Sequence, residues 1–242
     1  MTKPDFFLVL EGLDGSGKSE ISRRLTAYLT EQRGVNRVLL TYEPYDPFVA
    51  GEYLRQALRK EIRVRNHTLA LAYALNRADH LDRLVNPFLN GTGGIVICDR
   101  YLLSSLVYQS RDGLSMDDVM LLNAGARTPD LTLFMEVTPE TTSQRMQGRA
   151  IKELFDDQAE EMRQQYHTAI RYLEARGHAF RVIDANGTID EVLAAVIAAV
   201  TPYLPPAIRT LALSAPAGVR RQFNRHSGEG CLAPTMYPGG AK

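Results

Sequence analysis

Cysteine is scarce in this chain of 242 residues, which has only Cys98 and Cys231. Two cysteines exclude a disulfide framework and a cysteine-rich zinc site, and they suit a reducing compartment, so we expect a cytoplasmic protein. Net charge is also lacking, because 28 Lys and Arg residues balance 28 Asp and Glu residues. Without a field of one sign, a dedicated DNA-binding role is disfavoured, and we expect no nucleic-acid partner.

Long apolar runs are missing as well. The apolar stretches at residues 6–10 and 192–200 fall far short of the ~20 residues that cross a bilayer, so we expect no membrane partner. Hydrophobic residues make up 45% of the chain and charged residues 23%, a composition typical of a globular protein with a sizeable core.

Short apolar runs alternate with longer amphipathic segments along the chain. Five runs rich in β-branched and aromatic residues are predicted strands: residues 6–10, 37–41, 94–98, 131–137 and 180–183. Helical periodicity predicts helices at residues 18–32, 51–59, 67–89, 102–109, 116–124, 139–147, 153–176 and 189–200. The alternation predicts an α/β fold with a five-stranded, mostly parallel sheet, helices on both faces, and ligands at the carboxyl ends of the strands.

The composition changes after residue 202. Pro, Gly and Ser become frequent, apolar periodicity is lost, and five basic residues accompany a single acidic residue, Glu229. We therefore predict a domain at residues 1–202 and a basic, disordered tail at residues 203–242. The alternative is that this tail packs weakly on the more acidic body or on an acidic partner.

A glycine-rich segment follows the first predicted strand and opens the first predicted helix. It reads Gly12-Leu13-Asp14-Gly15-Ser16-Gly17-Lys18-Ser19 and matches the P-loop pattern G-x-x-x-x-G-K-[ST]. In such a loop the backbone amides surround phosphate, Lys18 neutralises its oxygens and the Ser19 hydroxyl ligates Mg²⁺. ATP and Mg²⁺ are therefore the expected cofactors, and a glycine-rich turn without a ligand is the alternative. The absence of an Asn-Lys-x-Asp guanine-reading motif favours a small-molecule kinase.

An acid and a base follow the third predicted strand. Asp99 can hold Mg²⁺, and the planar guanidinium of Arg100 can bind phosphate through two hydrogen bonds. Both residues are candidate catalytic groups, and the structural alternative is an ion pair that caps the strand.

Residues 99–109, which read D-R-Y-L-L-S-S-L-V-Y-Q, resemble the D-R-Y-x-x-S-S-x-A-Y-Q signature of thymidylate kinases. In the right order, residues 41–44 resemble T-R-E-P, residues 73–77 resemble F-x-A-x-R, and residues 129–133 resemble P-D-L-T-x. Together with the P-loop, the resemblance covers roughly residues 5–202. It implies the P-loop NTPase fold and a homodimer.

The resemblance also implies an activity, the phosphorylation of dTMP to dTDP by Mg·ATP in dTTP biosynthesis, with dTMP and ATP as the small-molecule substrates. It implies that Tyr73 stacks on thymine while Arg77 binds its carbonyl edge. Residues four apart share one helix face, which supports this pair independently, although ordinary packing is the alternative. The other implied contacts are Asp14 to the 3′-hydroxyl, Ser105 and Gln109 to the pyrimidine, Tyr108 to the deoxyribose, and Glu43, Arg55 and Arg100 to the acceptor phosphate.

The chain departs from the family pattern in two regions. Tyr42 replaces the Arg of T-R-E-P, and the Tyr-Asp-Pro sequence at residues 45–47 replaces a small Gly-Gly-Thr turn with one extra residue. Gly15 stands where one group of these kinases has an Arg, so we expect the transition-state cation to come from the lid after the fourth strand, residues 147–154. Arg149 is the predicted catalytic cation, chosen from Arg145, Arg149 and Lys152.

Two other functions stay open. Tyr42 and the altered turn suggest a kinase for another nucleoside or nucleoside monophosphate, and the basic tail suggests a nucleotide-dependent binding module. For ATP, the family resemblance implies that adenine lies beside the turn at residues 185–187.

Overall fold

The computed structural model describes residues 4–32, 35–91, 93–145 and 156–205. Within these ranges, five strands form one sheet: β1 (Phe6–Glu11), β2 (Val38–Tyr42), β3 (Ile95–Asp99), β4 (Leu131–Glu136) and β5 (Phe180–Asp184). Their order is β2-β3-β1-β4-β5, and each neighbouring pair is parallel. The predicted α/β fold is therefore confirmed, with a sheet that is parallel throughout.

Helices cover both faces of the sheet. One face carries α1 (Lys18–Ala27) and α9 (Ile189–Val200), and the other carries α3 (Asn66–His80), α5 (Leu102–Gln109) and α8 (Asp156–Glu174). The shorter helices are α2 (Gly51–Leu58), α4 (Asn86–Phe88), α6 (Met116–Leu122) and α7 (Pro139–Arg145). No helix in the described ranges has the length and apolar character needed to cross a membrane.

Two of the long predicted helices contain a π-helical turn in addition to α-helix. One turn, Tyr28–Gln32, continues α1, and the other, Leu81–Val85, joins α3 to α4. The segment predicted as one helix at residues 67–89 is therefore three consecutive helical elements. Periodicity cannot show this difference, because π-helical turns keep the chain coiled and continue to bury apolar side chains such as Leu81 and Val85.

The central strand, β1, is apolar from Phe6 to Leu10 because both of its faces are covered. Phe6, Leu8 and Leu10 pack against α1 and α9, while Phe7 and Val9 pack into the opposite layer. This two-sided burial is characteristic of a parallel sheet whose crossover helices lie on both faces.

The candidate site lies at the carboxyl ends of β1 and β3. Leu10 of β1 pairs with Asp99 of β3, so the P-loop and Arg100 leave the sheet side by side. The chain crosses from β1 to neighbours on opposite sides, and such a switch point is where ligands bind in open parallel sheets. The predicted lid at residues 147–154, with Arg149, lies outside the described residues, as do residues 206–242 of the predicted tail.

Candidate active site

The loop between β1 and α1 has a backbone that glycine alone adopts easily. Gly12, Gly15 and Gly17 have φ angles of 147°, 82° and 89°. A Cβ atom at Gly12 would also lie 2.7 Å from the carbonyl oxygen of Met135, so a larger residue would push the loop away from β4. The loop thus turns its amides toward the N-terminus of α1, where backbone N–H groups and the helix dipole favour an anion.

Lys18 lies at the start of α1 with its ammonium group folded into the P-loop. Its Nζ donates to the carbonyl oxygen of Leu13 at 2.7 Å and to Ser16 Oγ at 3.3 Å. Burial, followed by the charge of Arg100, lowers the pKa of Lys18 to about 8. A bound phosphate would supply the negative charge that this buried ammonium lacks.

Ser19 and Asp99 meet between the start of α1 and the end of β3. Ser19 Oγ donates to Asp99 Oδ2 at 2.5 Å, and Asp99 Oδ1 is buried without a hydrogen-bond partner among the described residues. An orphaned carboxylate oxygen beside a hydroxyl fits Mg²⁺, which prefers oxygen ligands. The part of the chain that the structure describes has no cluster of three acidic, His or Cys side chains for a metal. The predicted ion would therefore take its remaining ligands from phosphate and water.

Arg100 occupies the space between the P-loop and α5. Its Nη1 donates to Ser104 Oγ at 3.1 Å and to Tyr166 Oη at 3.0 Å, while Nη2 forms an ion pair with Asp14. The residue has a φ of 68°, uncommon outside glycine, and its own N–H donates to the carbonyl oxygen of Leu10. These contacts aim the guanidinium at the gap beside the P-loop instead of into solvent.

Glu11 fixes the position of α5 relative to the P-loop. Its carboxylate is fully buried and accepts hydrogen bonds from the backbone amides of Tyr101 and Ser104 and from Ser104 Oγ. Burial raises the pKa of Glu11. This residue, which joins the last position of β1 to the first turn of α5, was not predicted from the sequence.

A cleft of about 420 Å³ opens beside Arg100 and extends between α2, α3 and α5. All the residues that the sequence analysis assigned to the acceptor line this cleft: Asp14, Glu43, Arg55, Tyr73, Arg77, Arg100, Ser105, Tyr108 and Gln109. Pro44, Leu58, Leu69, Tyr101, Ser104 and Arg111 complete its lining. The cleft combines an apolar wall with several cationic groups, as the binding of a nucleoside monophosphate would require.

Arg77 is buried at the inner end of this cleft and is held from three sides. Its Nε donates to Glu43 Oε2 at 2.7 Å, Nη1 to Asn123 Oδ1 at 2.5 Å, and Nη2 to Ser105 Oγ at 2.9 Å. Glu43 also lies 3.2 Å from His80 Nδ1. Glu43 was expected to contact the acceptor phosphate. In this structure it lines the cleft, and its carboxylate contacts Arg77 and His80.

Two further residues that line the cleft, Tyr108 and Gln109, lie at the end of α5. The Tyr108 ring lies 5.8 Å from the Arg100 guanidinium and meets the Tyr166 ring edge-on at 6.2 Å. Gln109 is buried, and its Oε1 has no hydrogen-bond partner within the described ranges. A buried amide oxygen that lacks a partner indicates a missing donor, and a ligand in the cleft can supply one.

A second groove, on the other side of the P-loop, reaches the turn after β5. It has a volume of about 320 Å³ and is lined by Ser16, Gly17, Ile21, Arg145, Gly187, Thr188, Ile189 and Val192. Arg145 Nη2 donates to the carbonyl oxygen of Gly187 at 2.9 Å. The turn predicted to contact adenine is therefore beside the P-loop, together with one of the three candidate lid cations.

The sequence profile described as "Thymidylate kinase" matches residues 10–196. The chain belongs to the thymidylate kinase family. The "Probable thymidylate kinase" of Thermococcus onnurineus is 34% identical over 202 residues, covering 80% of this chain and 96% of that relative. The thymidylate kinase of Ruegeria pomeroyi is 37% identical over 211 residues, covering 84% of this chain and 98% of the relative.

A solved structure agrees with this assignment. The crystal structure of thymidylate kinase from Ehrlichia chaffeensis superposes with a TM-score of 0.61 at 26% identity, covering 81% of this chain and 99% of the other. The family resemblance deduced from the motifs is thus confirmed, and with it the P-loop fold.

Several side chains that shape this thymidylate kinase site were not predicted. Ser104 and Tyr166 hold Arg100, and Asn123 holds Arg77. Ser104 lies in the signature segment but was not assigned a role, whereas Tyr166 and Asn123 lie far from it in the sequence. Tyr166 occupies an apolar position of α8, so periodicity gives it the same signal as any core aromatic residue.

Proposed function

We propose that this chain phosphorylates dTMP to dTDP with Mg·ATP. The observation that carries the proposal is Arg100, whose guanidinium lies between Asp14 of the P-loop and the cleft that contains Tyr73 and Arg77. A donor phosphate on the P-loop and an acceptor phosphate in the cleft would both lie within its reach. Membership of the thymidylate kinase family supports dTMP over another nucleoside or nucleoside monophosphate as the acceptor.

The proposed reaction is in-line attack of a dTMP phosphate oxygen on the γ-phosphorus of ATP. A phosphate dianion is already nucleophilic, so the site needs positioning and charge neutralisation more than a general base. Lys18 and Arg100 would neutralise the phosphate oxygens, and Ser19 and Asp99 would hold Mg²⁺, which neutralises oxygens of the donor when bound. Arg149 stays the proposed lid cation.

In the acceptor cleft, the proposed contacts follow the lining residues. Tyr73 would stack on thymine, and the donors of Arg77 and Ser105 would face its carbonyl edge. The unpartnered Oε1 of Gln109 can accept from the thymine N3–H group. Tyr108 would pack on the deoxyribose where a 2′-hydroxyl would clash, Asp14 would accept from the 3′-hydroxyl, and Arg55 with Arg100 would bind the acceptor phosphate.

A panel of acceptors tests this proposal. With Mg·ATP and the full chain, we expect dTMP to give the highest kcat/KM among dTMP, dUMP, dGMP, UMP and thymidine. ATP consumption should depend on the acceptor, because an incomplete site does not orient the phosphates. Faster turnover of thymidine than of dTMP would contradict an acceptor phosphate at Arg55 and Arg100, and acceptor-independent ATP binding without transfer would favour a binding module.

We also propose a homodimer formed through α3 and α6. Leu71 and Leu75, one turn apart on α3, are 45% and 52% exposed, and Leu121 on the adjacent α6 is 75% exposed. Exposed leucines grouped on neighbouring helices support an interface, because single apolar side chains on a monomer surface are usually scattered.

Leu75→Asp is expected to convert the dimer to a monomer, since a charge at the centre of an apolar interface is strongly unfavourable. Sedimentation velocity would show the mass fall to that of one chain. Val182→Ser, at another exposed apolar position, is the matched control and should leave the dimer intact. A single-chain mass for the unsubstituted protein would refute the proposed dimer.

A cytoplasmic location is proposed as well, since the free thiol of Cys98 is buried and fits a reducing compartment. Fractionation of cells expressing the tagged full chain would test it, and recovery outside the cytoplasmic fraction would contradict it.

A further inference from the structure

The turn between β2 and α2 is where the chain departs from its family's pattern, and it is firmly built. Asn76 of α3 donates to the carbonyl oxygens of Tyr45 and Val49, both at 2.9 Å, and accepts from the Tyr45 N–H at 2.7 Å. The Val49 N–H donates to Asp79 at 3.2 Å. Side chains of α3 thus fix both ends of the turn.

The middle of the turn is equally constrained. A Cβ atom at position 51 would collide with the carbonyl oxygen of Asp46, so Gly51 allows the turn to lie directly against the start of α2. The Tyr45 ring stacks on His80, with centroids 4.8 Å apart and planes 12° apart. The position of Asp46 is therefore set by the fold and not by loop fluctuation.

The side chain of Asp46 points at Arg55 of α2. The Arg55 Nε donates to Asp46 Oδ1. Burial, together with the nearby charge of Asp46, raises the pKa of the Tyr42 hydroxyl, so this hydroxyl stays neutral. Asp46, on the enlarged turn, is therefore the carboxylate that pairs with Arg55.

Arg55 lies at the boundary between two cavities. It lines the acceptor cleft and also the groove of about 380 Å³ that contains Ser19, Tyr42, Asp99 and Arg100. Because Asp46 engages Nε, the two Nη groups of Arg55 remain available to a phosphate in a planar fork. The side chains of Arg55 and Asp46 are 36% and 39% exposed, so an untethered Arg55 could adopt many rotamers.

We propose that Asp46 is the positioning residue that holds Arg55 toward the acceptor phosphate. The inference rests on the proposed function in one respect, the binding of a nucleoside monophosphate in the cleft. It assigns a role to the enlarged turn, one of the two departures from the family pattern: Asp46 orients a phosphate-binding Arg in a pocket whose T-R-E-P arginine is missing. Asp46 acts through Arg55 and does not itself touch the substrate.

The test compares binding of dTMP with binding of thymidine, which has the same base and sugar but no phosphate. For Asp46→Ala we expect the Kd of dTMP to rise about threefold to fivefold, as for loss of a partly exposed ion pair, while the Kd of thymidine stays within about twofold. Calorimetric titration of the full chain measures both. In the steady state, the KM of dTMP should rise with a smaller change in kcat and an unchanged KM of ATP.

Two further variants sharpen the comparison. Asp46→Asn keeps the shape and one acceptor oxygen, so its effect should be intermediate. Once Arg55→Ala has removed the guanidinium, adding Asp46→Ala should have little further effect on dTMP binding. Glu52→Ala is the matched control, because Glu52 also pairs with an Arg of the same chain region, Arg59, but is 70% exposed and does not line either cavity.

The outcomes separate the proposal from its rivals. Equal weakening of dTMP and thymidine would overturn it in favour of a merely structural role of Asp46. Unchanged dTMP binding would overturn it as well, and tighter binding would show that Asp46 competes with the phosphate for Arg55. Failure of the unsubstituted chain to bind dTMP would instead refute the proposed function, so the two failures are distinguishable.

Discussion

Arg100→Ala is expected to lower kcat for dTMP phosphorylation about 10³-fold or more, the range seen when phosphoryl transfer loses a well-placed arginine. The side chain is anchored by Ser104 and Tyr166 through Nη1 and paired with Asp14 through Nη2. It therefore loses little conformational entropy when phosphates bind, and in the proposed reaction its charge would face the oxygens that change charge in the transition state. Single-turnover rates at saturating ATP and dTMP measure the effect on the chemical step.

Matched variants separate charge from geometry at this position. Arg100→Lys keeps the charge but loses the planar fork, so we expect only a small recovery of the rate. Arg83→Ala removes an exposed guanidinium that pairs with Asp79 and lines neither cavity, and its kcat should be unchanged. A rate for Arg100→Ala within about tenfold of the unsubstituted chain would exclude Arg100 from transition-state stabilisation.

The sheet and the phosphate loop could be predicted because their signals are local. The strands of a parallel sheet with two covered faces are continuous apolar runs, and β1 and β3 lie where those runs predict them. The motif at residues 12–19 needs a backbone that glycine adopts easily, and the positive φ angles of its glycines fit this need. Asp99 and Arg100 could be placed beside it because they end a strand of the same sheet.

The supports of the site could not be predicted, because they are contacts between residues distant in sequence. Tyr166 reaches Arg100 across 66 positions, and Asn123 reaches Arg77 across 46. Neither an apolar period nor a short motif identifies such a partner. The pair of Asp46 with Arg55 was hidden for a different reason: the enlarged turn was visible as a departure, but its direction depends on the bonds from Asn76 and on the space at Gly51.

Membership of the family predicts which residues bind the substrates, and the structure shows which of those residues are held in place by neighbouring side chains. Glu43 was predicted to lie at the acceptor phosphate; it lines the cleft, and its carboxylate accepts from Arg77 and lies near His80. Breaking a buried ion pair leaves an unpaired charge inside the protein, which is strongly destabilising. The buried carboxylate of Glu43 therefore keeps the guanidinium of Arg77 in a fixed orientation. In the proposed binding mode, the base end of the cleft would therefore be preorganised, whereas the phosphate end would depend on partly exposed Arg55 and on Arg100.

Lys18→Ala is expected to lower kcat/KM for ATP by about 10² to 10³, as for the loss of a single preorganised group at a developing charge. The ammonium lies inside the P-loop, bonded to Leu13 and Ser16, where it can neutralise the β- and γ-phosphates. Because burial already disfavours its charge, we expect the ligand-free variant to be no less stable to heat than the unsubstituted chain. Unchanged melting with lost ATP turnover would separate this role from folding, and retained turnover would contradict it.

The pH dependence of the unsubstituted chain gives an independent view of the same residue. Lys18 has a pKa of about 8 in the ligand-free protein, so it is protonated below that pH and loses its proton as the pH rises through it. We expect kcat/KM for ATP to fall above about pH 8 toward a tenfold loss per pH unit, while kcat falls only at higher pH because bound phosphates hold the proton on Lys18. Burial raises the pKa values of Tyr73 and Cys98, so neither group titrates in this window. A kcat/KM profile that stays flat to about pH 9.5 would show that the free protein keeps Lys18 charged throughout.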